Sequence, residues 1–247
     1  MHRILTIAGS DSSGGAGIQA DIKTITMLGG YAMSVITAVT AQDTTGVHRV
    51  AALSPALVAA QIDACLGDIG VDAVKIGMLG SAEIAAVVAE RLERLAVPVV
   101  FDPVIVATSG AALADAATRA AFTRLIAIAT LVTPNLPELS ALGGEAALAG
   151  AAKAVLIKGG HGDGAMLIDR LVTGAGEQAR WQDARIETTS THGTGCTLAA
   201  AIATGLGQGM ALEAAIARAR QFVRAALIAA PGFGEGHGPL GHAAVRL

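Results

Sequence analysis

Short apolar runs alternate along this chain with longer stretches in which apolar positions recur at helical spacing. The short runs predict strands over Arg3–Ala8, Ser34–Thr40, Ala73–Ile76, Pro98–Phe101, Leu131–Thr133, Ala154–Ile157 and Ala165–Ile168. The longer stretches predict helices over Ala16–Leu28, Pro55–Ile69, Ala82–Leu95, Ala116–Ala127, a stretch within Pro137–Lys153, Gly195–Leu206 and Ala211–Ala229. In the first helix Ile18, Ile22 and Ile25 share one face, at steps of four and three. Ser54 before Pro55 reads as a cap followed by a first-turn proline. Pro98-Val99-Val100-Phe101 is apolar throughout, the pattern of a strand covered by helices on both faces. Alternating strands and helices imply an α/β fold, doubly wound around a mostly parallel sheet. No repeat or low-complexity linker divides residues 1–247, which read as a single domain. Pro231–Gly241, rich in glycine, reads as a surface loop or a flexible end.

Composition narrows the function classes. Of 247 residues, 53% are hydrophobic and 15% charged, which excludes a disordered chain. A formal charge of −3 leaves no electrostatic footprint for nucleic acid. The mean hydropathy of +0.58 invites a membrane reading, but charges or glycines interrupt the apolar stretches. Cys196–Leu206 is too short to span a bilayer, and the N-terminus lacks the features of a signal peptide. The two cysteines, Cys65 and Cys196, form no CxxC pair, which fits a reduced cytoplasmic protein.

In doubly wound sheets, ligands bind beyond the carboxyl ends of the strands. Glycines and hydrogen-bonding groups follow the predicted strands there: Gly9 to Gly15, Gln42, Gly77-Met78, Asp102-Pro103, Pro134-Asn135 and Lys158-Gly159-Gly160-His161. The strongest local signal is Thr191-His192-Gly193-Thr194-Gly195-Cys196, which runs into an apolar helix. Adjacent glycines and the free amides of a helix start make an anion cradle, suited to the charge that develops in phosphoryl transfer. A thiol there is expected to have a lowered pKa and to act as a thiolate; an ordinary capped helix with a buried cysteine is the alternative. No Walker motif is present. A hydrolase would pair Cys196 with a histidine such as His192. Gly15-Ala16-Gly17-Ile18-Gln19-Ala20 matches a dinucleotide fingerprint, but six residues separate it from the predicted strand end. Asp21 and Lys23 are left without an assigned role, a solvated helix face being one reading of them.

The segment from Gly9 to Thr24 closely resembles the hydroxymethylpyrimidine/phosphomethylpyrimidine kinase family of the ribokinase superfamily. So do Gln42, Asp102-Pro103, Asn135-Leu136-Pro137-Glu138, Lys158-Gly159-Gly160-His161 and His192-Gly193-Thr194-Gly195-Cys196. The motifs stand in the family's order and cover nearly the whole chain. The resemblance implies a ribokinase-like fold and ATP-dependent phosphorylation of 4-amino-5-hydroxymethyl-2-methylpyrimidine and then of its monophosphate, with Mg²⁺. It implies Cys196 as the catalytic base, where sugar-kinase relatives carry an Asp, and Gly193, Thr194 and Gly195 as the anion hole. Gln42 would read the polar edge of the aminopyrimidine, since an amide both donates and accepts. Gly9, Ala16, Met78 and Val104 would line the pyrimidine pocket. Asn135 and Glu138 would position Mg²⁺ and the nucleotide phosphates, with help from Asp102. Lys158, Gly160 and His161 would border the nucleotide. Relatives imply a homodimer.

Two departures from the family pattern stand out. The stretch from Glu138 to Lys158 is short, and Thr108 stands where many members have Lys. Pyridoxal kinase, a non-catalytic pyrimidine-binding protein and a nicotinamide-dependent oxidoreductase remain as alternatives.

Overall fold

The computed structural model describes residues 1–106, 110, 113–162 and 164–246, with the His161 side chain excepted. Thr108 lies outside the described residues. Among the described residues nine strands form one sheet: β1 Arg3–Asp11, β2 Tyr31–Gln42, β3 Val47–Ala52, β4 Ala73–Ile76, β5 Val99–Phe101, β6 Leu131–Val132, β7 Val155–Ile157, β8 Met166–Thr173 and β9 Gly176–Ala184. Their order is β3-β2-β1-β4-β5-β6-β7-β8-β9. The six strands from β2 to β7 in that row run parallel; β3 at one edge and β8 and β9 at the other pair antiparallel. The helices are α1 Gly17–Met27, α2 Pro55–Ala64, α3 Ala82–Leu92, α4 Ala116–Ile128, α5 Leu136–Ala141, α6 Gly144–Ala151, α7 Thr194–Gly207 and α8 Leu212–Ile228.

Strand alternation divides the core into two layers. Leu5, Ile7, Val99, Phe101, Val155 and Ile157 pack with Val58, Ile84, Phe122 and Leu148 from α2, α3, α4 and α6. Ile4, Val100 and Leu156 point the other way, to Ile25 of α1, Ile202 of α7 and Ile216 of α8. Helices therefore cover both faces, which explains why β5 reads as apolar at every position. Phe101 and Phe122 meet edge-on with ring centres 5.1 Å apart, seating the end of β5 on α4.

The doubly wound sheet expected from the sequence is present, with several differences. The face of α1 is misread: Ile18, Asp21 and Ile25 are buried, whereas Ile22 is exposed. Asp21 is therefore a core residue and not part of a solvated face, although Lys23 is exposed. Beyond Ala64 the helix that starts at Pro55 widens into a π turn, Cys65–Ile69. The stretch after Pro137 is two helices, broken at Gly143 and Gly144, whose φ angles of 94° and 86° suit glycine. The edge strands β3 and β9 have no counterpart in the expected set, because exposed edge strands carry little apolar signal. Pro231–Gly241 is a surface loop held at defined points: the His237 amide donates to the Thr44 carbonyl (2.8 Å) and the His192 amide to the Gly238 carbonyl (3.1 Å).

Candidate active site

Sheet topology places the site. The chain leaves β1 for β2 on one side and later returns to place β4 on the other, so a crevice opens beyond the carboxyl ends of β1 and β4. Five groups of site residues follow parallel strands at that rim: the loop after β1, Gln42 ending β2, Gly77 and Met78 after β4, Asp102 after β5, and Asn135 after β6. Lys158 follows β7 and pairs in an isolated bridge with Asn135. The N-terminus of α7 joins them.

Close backbone approach brings the loops together. Gly193, the residue before α7, has φ 85°, and a Cβ there would collide with the Gly15 carbonyl. Gly195 faces two charged groups: a Cβ on it would lie 3.4 Å from both Asp102 Oδ2 and Lys158 Nζ. The first-turn amides of α7 thus open beside a largely buried ion pair, in which Lys158 Nζ donates to Asp102 Oδ1 at 2.7 Å. Thr133 Oγ1 donates to the same oxygen at 3.0 Å. Glu138 Oε2 stands 3.9 Å from Lys158 Nζ. Burial pushes the Lys158 ammonium down, but Asp102 and Glu138 outweigh it and hold its pKa above the ordinary value. Burial, reinforced by Asp102 and opposed by Lys158, pushes the Glu138 carboxyl up.

Asn135 and Glu138 form a capping box on α5: Asn135 Oδ1 accepts from the Glu138 amide, and Glu138 Oε2 accepts from the Asn135 amide, each at 2.8 Å. The capping box also holds Glu138 Oε2 near Lys158. Arg185, which sequence reasoning missed, donates to the carbonyls of Gly160 (2.9 Å), Gly162 (2.7 Å) and Gly164 (3.1 Å) and so braces the loop after β7. No sequence spacing signals it, because it lies beyond the unrecognised strand β9. Gly160 is exposed in a short 3₁₀ turn, Gly159–His161.

Cys196 is half-buried in the first turn of α7. Its thiol is not acidic. Burial pushes its pKa up to about 11, Lys75 and the Gly17 amide pull downward, and Asp21 and Asp102 push further up. The lowered pKa expected from the helix start is thus overturned by desolvation and neighbouring carboxylates. Nor does His192 serve it as a base: the imidazole Nε2 meets Asp11 Oδ2 at 2.8 Å and Gln42 Nε2 at 3.3 Å.

Behind Cys196 lies a pair that the sequence reading missed. Lys75 Nζ donates to Asp21 Oδ2 at 2.8 Å with both side chains fully buried, and Thr6 Oγ1 donates to the same oxygen at 2.5 Å. Gly77 makes room for the ammonium, since a Cβ there would lie 2.7 Å from Nζ. Burial lowers the Lys75 pKa, but Asp21, Cys196 and Asp102 raise it further and keep the group charged. The signal was available: Asp21 sits three residues after Ile18 and four before Ile25, and Lys75 interrupts the apolar run Ala73–Ile76.

Asp11 ties the loop after β1 to the start of α1 and to His192. Burial pushes its carboxyl upward, but hydrogen bonds from His192, Ser13 and the Ala16 amide outweigh it, and the net shift is downward. Ala16 thereby sits at the start of α1, with its Cα beside Gly193. Gly9 lies against Met78, where a Cβ would come within 2.9 Å of Sδ. Val104 is half-buried two residues past Asp102, and its amide donates to the Asp102 carbonyl at 2.9 Å.

Asp102 and Glu138 offer the hard oxygen donors that Mg²⁺ requires, and among the described residues Asp102 Oδ2 takes no hydrogen bond. Among those residues no group of three or more His, Cys, Asp or Glu forms a metal cage. The donor set fits an ion held chiefly by phosphate and water oxygens.

Residues 11–241 match the family described as phosphomethylpyrimidine kinase. A hydroxymethylpyrimidine/phosphomethylpyrimidine kinase of Rhizobium meliloti is 46% identical over 96% of each chain. The thiamine biosynthesis bifunctional protein ThiED of Geobacter sulfurreducens is 49% identical over 97% of this chain, which spans 52% of that larger protein. Among solved structures, an ADP complex of Bacillus subtilis pyridoxal kinase superimposes with a TM-score of 0.90 at 35% identity, covering 99% of this chain and 98% of that one.

Proposed function

The chain belongs to the phosphomethylpyrimidine kinase family, and we propose that it transfers the γ-phosphoryl group of ATP to 4-amino-5-hydroxymethyl-2-methylpyrimidine and then to the resulting monophosphate. One observation carries the reading: the Cys196 thiol and the first turn of α7 open beside the Asp102–Lys158 pair that faces Gly195. Phosphoryl transfer mostly needs positioning and charge neutralisation, and this arrangement offers both.

In the first step the hydroxymethyl oxygen forms a bond to the γ-phosphorus, the bond from that phosphorus to the β–γ bridging oxygen breaks, and ADP leaves. The amides of Gly193, Thr194 and Gly195 hold the charge on the transferred group. Cys196 first releases its own proton to solvent, and the resulting thiolate sulfur then takes the alcohol proton. Lys75 is the cation that draws the thiol toward that state. In the second step a phosphate oxygen takes the place of the alcohol. Asp102 and Glu138 would hold Mg²⁺, which neutralises phosphate oxygens when bound. Lys158 and Gly160 border the nucleotide, with Asn135 behind them. Gln42 reads the ring edge, and Gly9, Ala16, Met78 and Val104 wall the ring. The same proposal takes the protein as a cytoplasmic homodimer; no helix among the described residues is long and apolar enough to cross a membrane.

Pyridoxal kinase is a second reading, favoured by the structural match to the Bacillus subtilis protein. The higher identity to hydroxymethylpyrimidine kinases ranks it lower. Steady-state turnover of the purified protein with ATP and Mg²⁺ on the pyrimidine alcohol, its monophosphate and pyridoxal tests the order; equal or better kcat/KM on pyridoxal overturns it. Cys196→Ala is expected to lower kcat by about 10²–10⁴-fold with pyrimidine affinity kept. Near-normal turnover would make Cys196 a packing residue.

A further inference from the structure

His192 stands at the junction of three loops and has no part in the transfer step described above. Its ring is buried and lies against Gly15, where a Cβ would strike the imidazole. The next residue is Gly193 of the anion cradle. The imidazole Nε2 meets two groups at once, Asp11 Oδ2 at 2.8 Å and the Gln42 side-chain amide at 3.3 Å.

Hydrogen-bond counting fixes the protons. Asp11 is a carboxylate and only accepts, so His192 Nε2 carries the hydrogen and donates to it. An amide NH₂ placed against that N–H would set donor against donor. At its other end the Gln42 amide lies 3.3 Å from Thr40 Oγ1. The single Thr40 hydroxyl proton is already committed to the Ser10 carbonyl at 2.9 Å, so that hydroxyl can only accept from the amide. Both conflicts vanish when the amide is turned by half a revolution, which exchanges two atoms of similar size. The one His192 N–H is then shared in a three-centre bond, with Asp11 as the nearer acceptor at 2.8 Å and the Gln42 oxygen as the farther at 3.3 Å, and the Gln42 nitrogen donates to Thr40. One N–H and one oxygen lone pair remain for a ligand.

We propose that His192 is a positioning residue: anchored by Asp11, its Nε2–H holds the oxygen of the Gln42 amide and fixes which donor and acceptor that amide presents to the substrate ring. The ligand class is a ring whose edge sets an exocyclic amine beside an acceptor nitrogen. A free amide would meet that edge in either orientation and lose selectivity; a fixed one is preorganised for it. The inference rests on the reading of Gln42 as the residue that contacts the pyrimidine.

The test is calorimetric titration of the full chain with the pyrimidine alcohol and, separately, with ADP and Mg²⁺. His192→Leu is expected to weaken pyrimidine binding about five- to tenfold, the worth of one hydrogen bond, with ADP affinity changed less than about twofold. His192→Gln, which can return an N–H to the Nε2 position, is expected to recover most of the loss. In a Gln42→Ala background, His192→Leu is expected to add less than about twofold. Equal losses for both ligands, or full additivity of the two substitutions, overturn the positioning role. A Gln42→Ala variant that binds pyrimidine normally overturns instead the reading of Gln42, and the proposal with it. Nitrogen-15 spectra of the imidazole provide a readout on the unaltered protein. A protonated Nε2 supports the proposal, and an unprotonated Nε2 overturns it even if His192→Leu does not fold.

Discussion

Removing the Lys75 ammonium is a severe perturbation of the core. Lys75 and Asp21 are both fully buried 2.8 Å apart, and Asp21 Oδ1 has no partner among the described residues. In Lys75→Met the aliphatic volume is kept, while Asp21 retains only the Thr6 hydroxyl. Breaking a buried pair by removing one partner costs about 3–5 kcal/mol, because the other charge is left in a low-dielectric site. Domains of this kind hold about 5–15 kcal/mol in total, so the loss is a large share of the whole. With a urea slope of about 3 kcal/mol/M, the unfolding midpoint should fall by about 1–1.7 M. Lys75→Met/Asp21→Asn should recover most of that loss, since it leaves no unpaired charge. The sign of the pH effect is also fixed. Burial already pushes the Asp21 carboxyl above its ordinary pKa even with Lys75 beside it, and losing the cation raises it further. A carboxyl raised by folding favours the folded state below its unfolded pKa, and that contribution is lost as pH rises through the folded value. The Lys75→Met deficit should therefore shrink between pH 8 and pH 5. A midpoint shift under about 0.3 M, or a double variant no better than the single one, would refute the account of this pair as a charged, mutually dependent unit.

The raised thiol predicts slow alkylation. Cys196, with its pKa pushed up to about 11, should react with iodoacetamide at a rate that keeps rising about tenfold per pH unit beyond pH 9. The same peptide in urea should level off near the ordinary thiol value, and a plateau below pH 8 in the folded protein would contradict the burial argument. Gly193→Ala combines a φ of 85° with a clash against the Gly15 carbonyl. It should lower the melting temperature and reduce transfer at least about tenfold, since strain of about 1–3 kcal/mol falls directly on the cradle. Unchanged melting and turnover would show that the backbone there does not need glycine.

How much of this was legible in the sequence depends on where each residue's partners lie. β5 and the first turn of α7 were readable because the pattern is local: an unbroken apolar run, and glycines leading into a helix. β3 and β9 were not, because nearly all their side chains face solvent and edge pairing leaves no apolar alternation. In α1 the presence of three isoleucines outweighed the better geometric stripe, and the polar member of that stripe, Asp21, went unrecognised as core. The candidate site divides in the same way. The loop glycines, Asp102 and Lys158 announce themselves by following strands, whereas Asp11, Lys75, His192 and Arg185 acquire meaning only through partners far away in the chain. The pKa of Cys196 was misjudged for the same reason. The helix start is visible in sequence, but the carboxylates and the burial that oppose it are not.

Those carboxylates bear on why sulfur stands at position 196. Asp21 and Asp102 both act on the Cys196 side chain, and Lys75 answers them. Lys158 is committed to Asp102 and stands near Glu138. A carboxylate at 196 would add a permanent negative charge to a pocket where three buried acids already face two buried ammonium groups. A thiol held protonated adds none until it gives up that proton. On the function proposed above, the nucleophile is first a neutral alcohol and then an anionic phosphate. The second would be repelled by a resident carboxylate and is not repelled by a neutral thiol. Burial of Cys196, which makes it a poor thiolate, thus keeps the same cradle open to both nucleophiles.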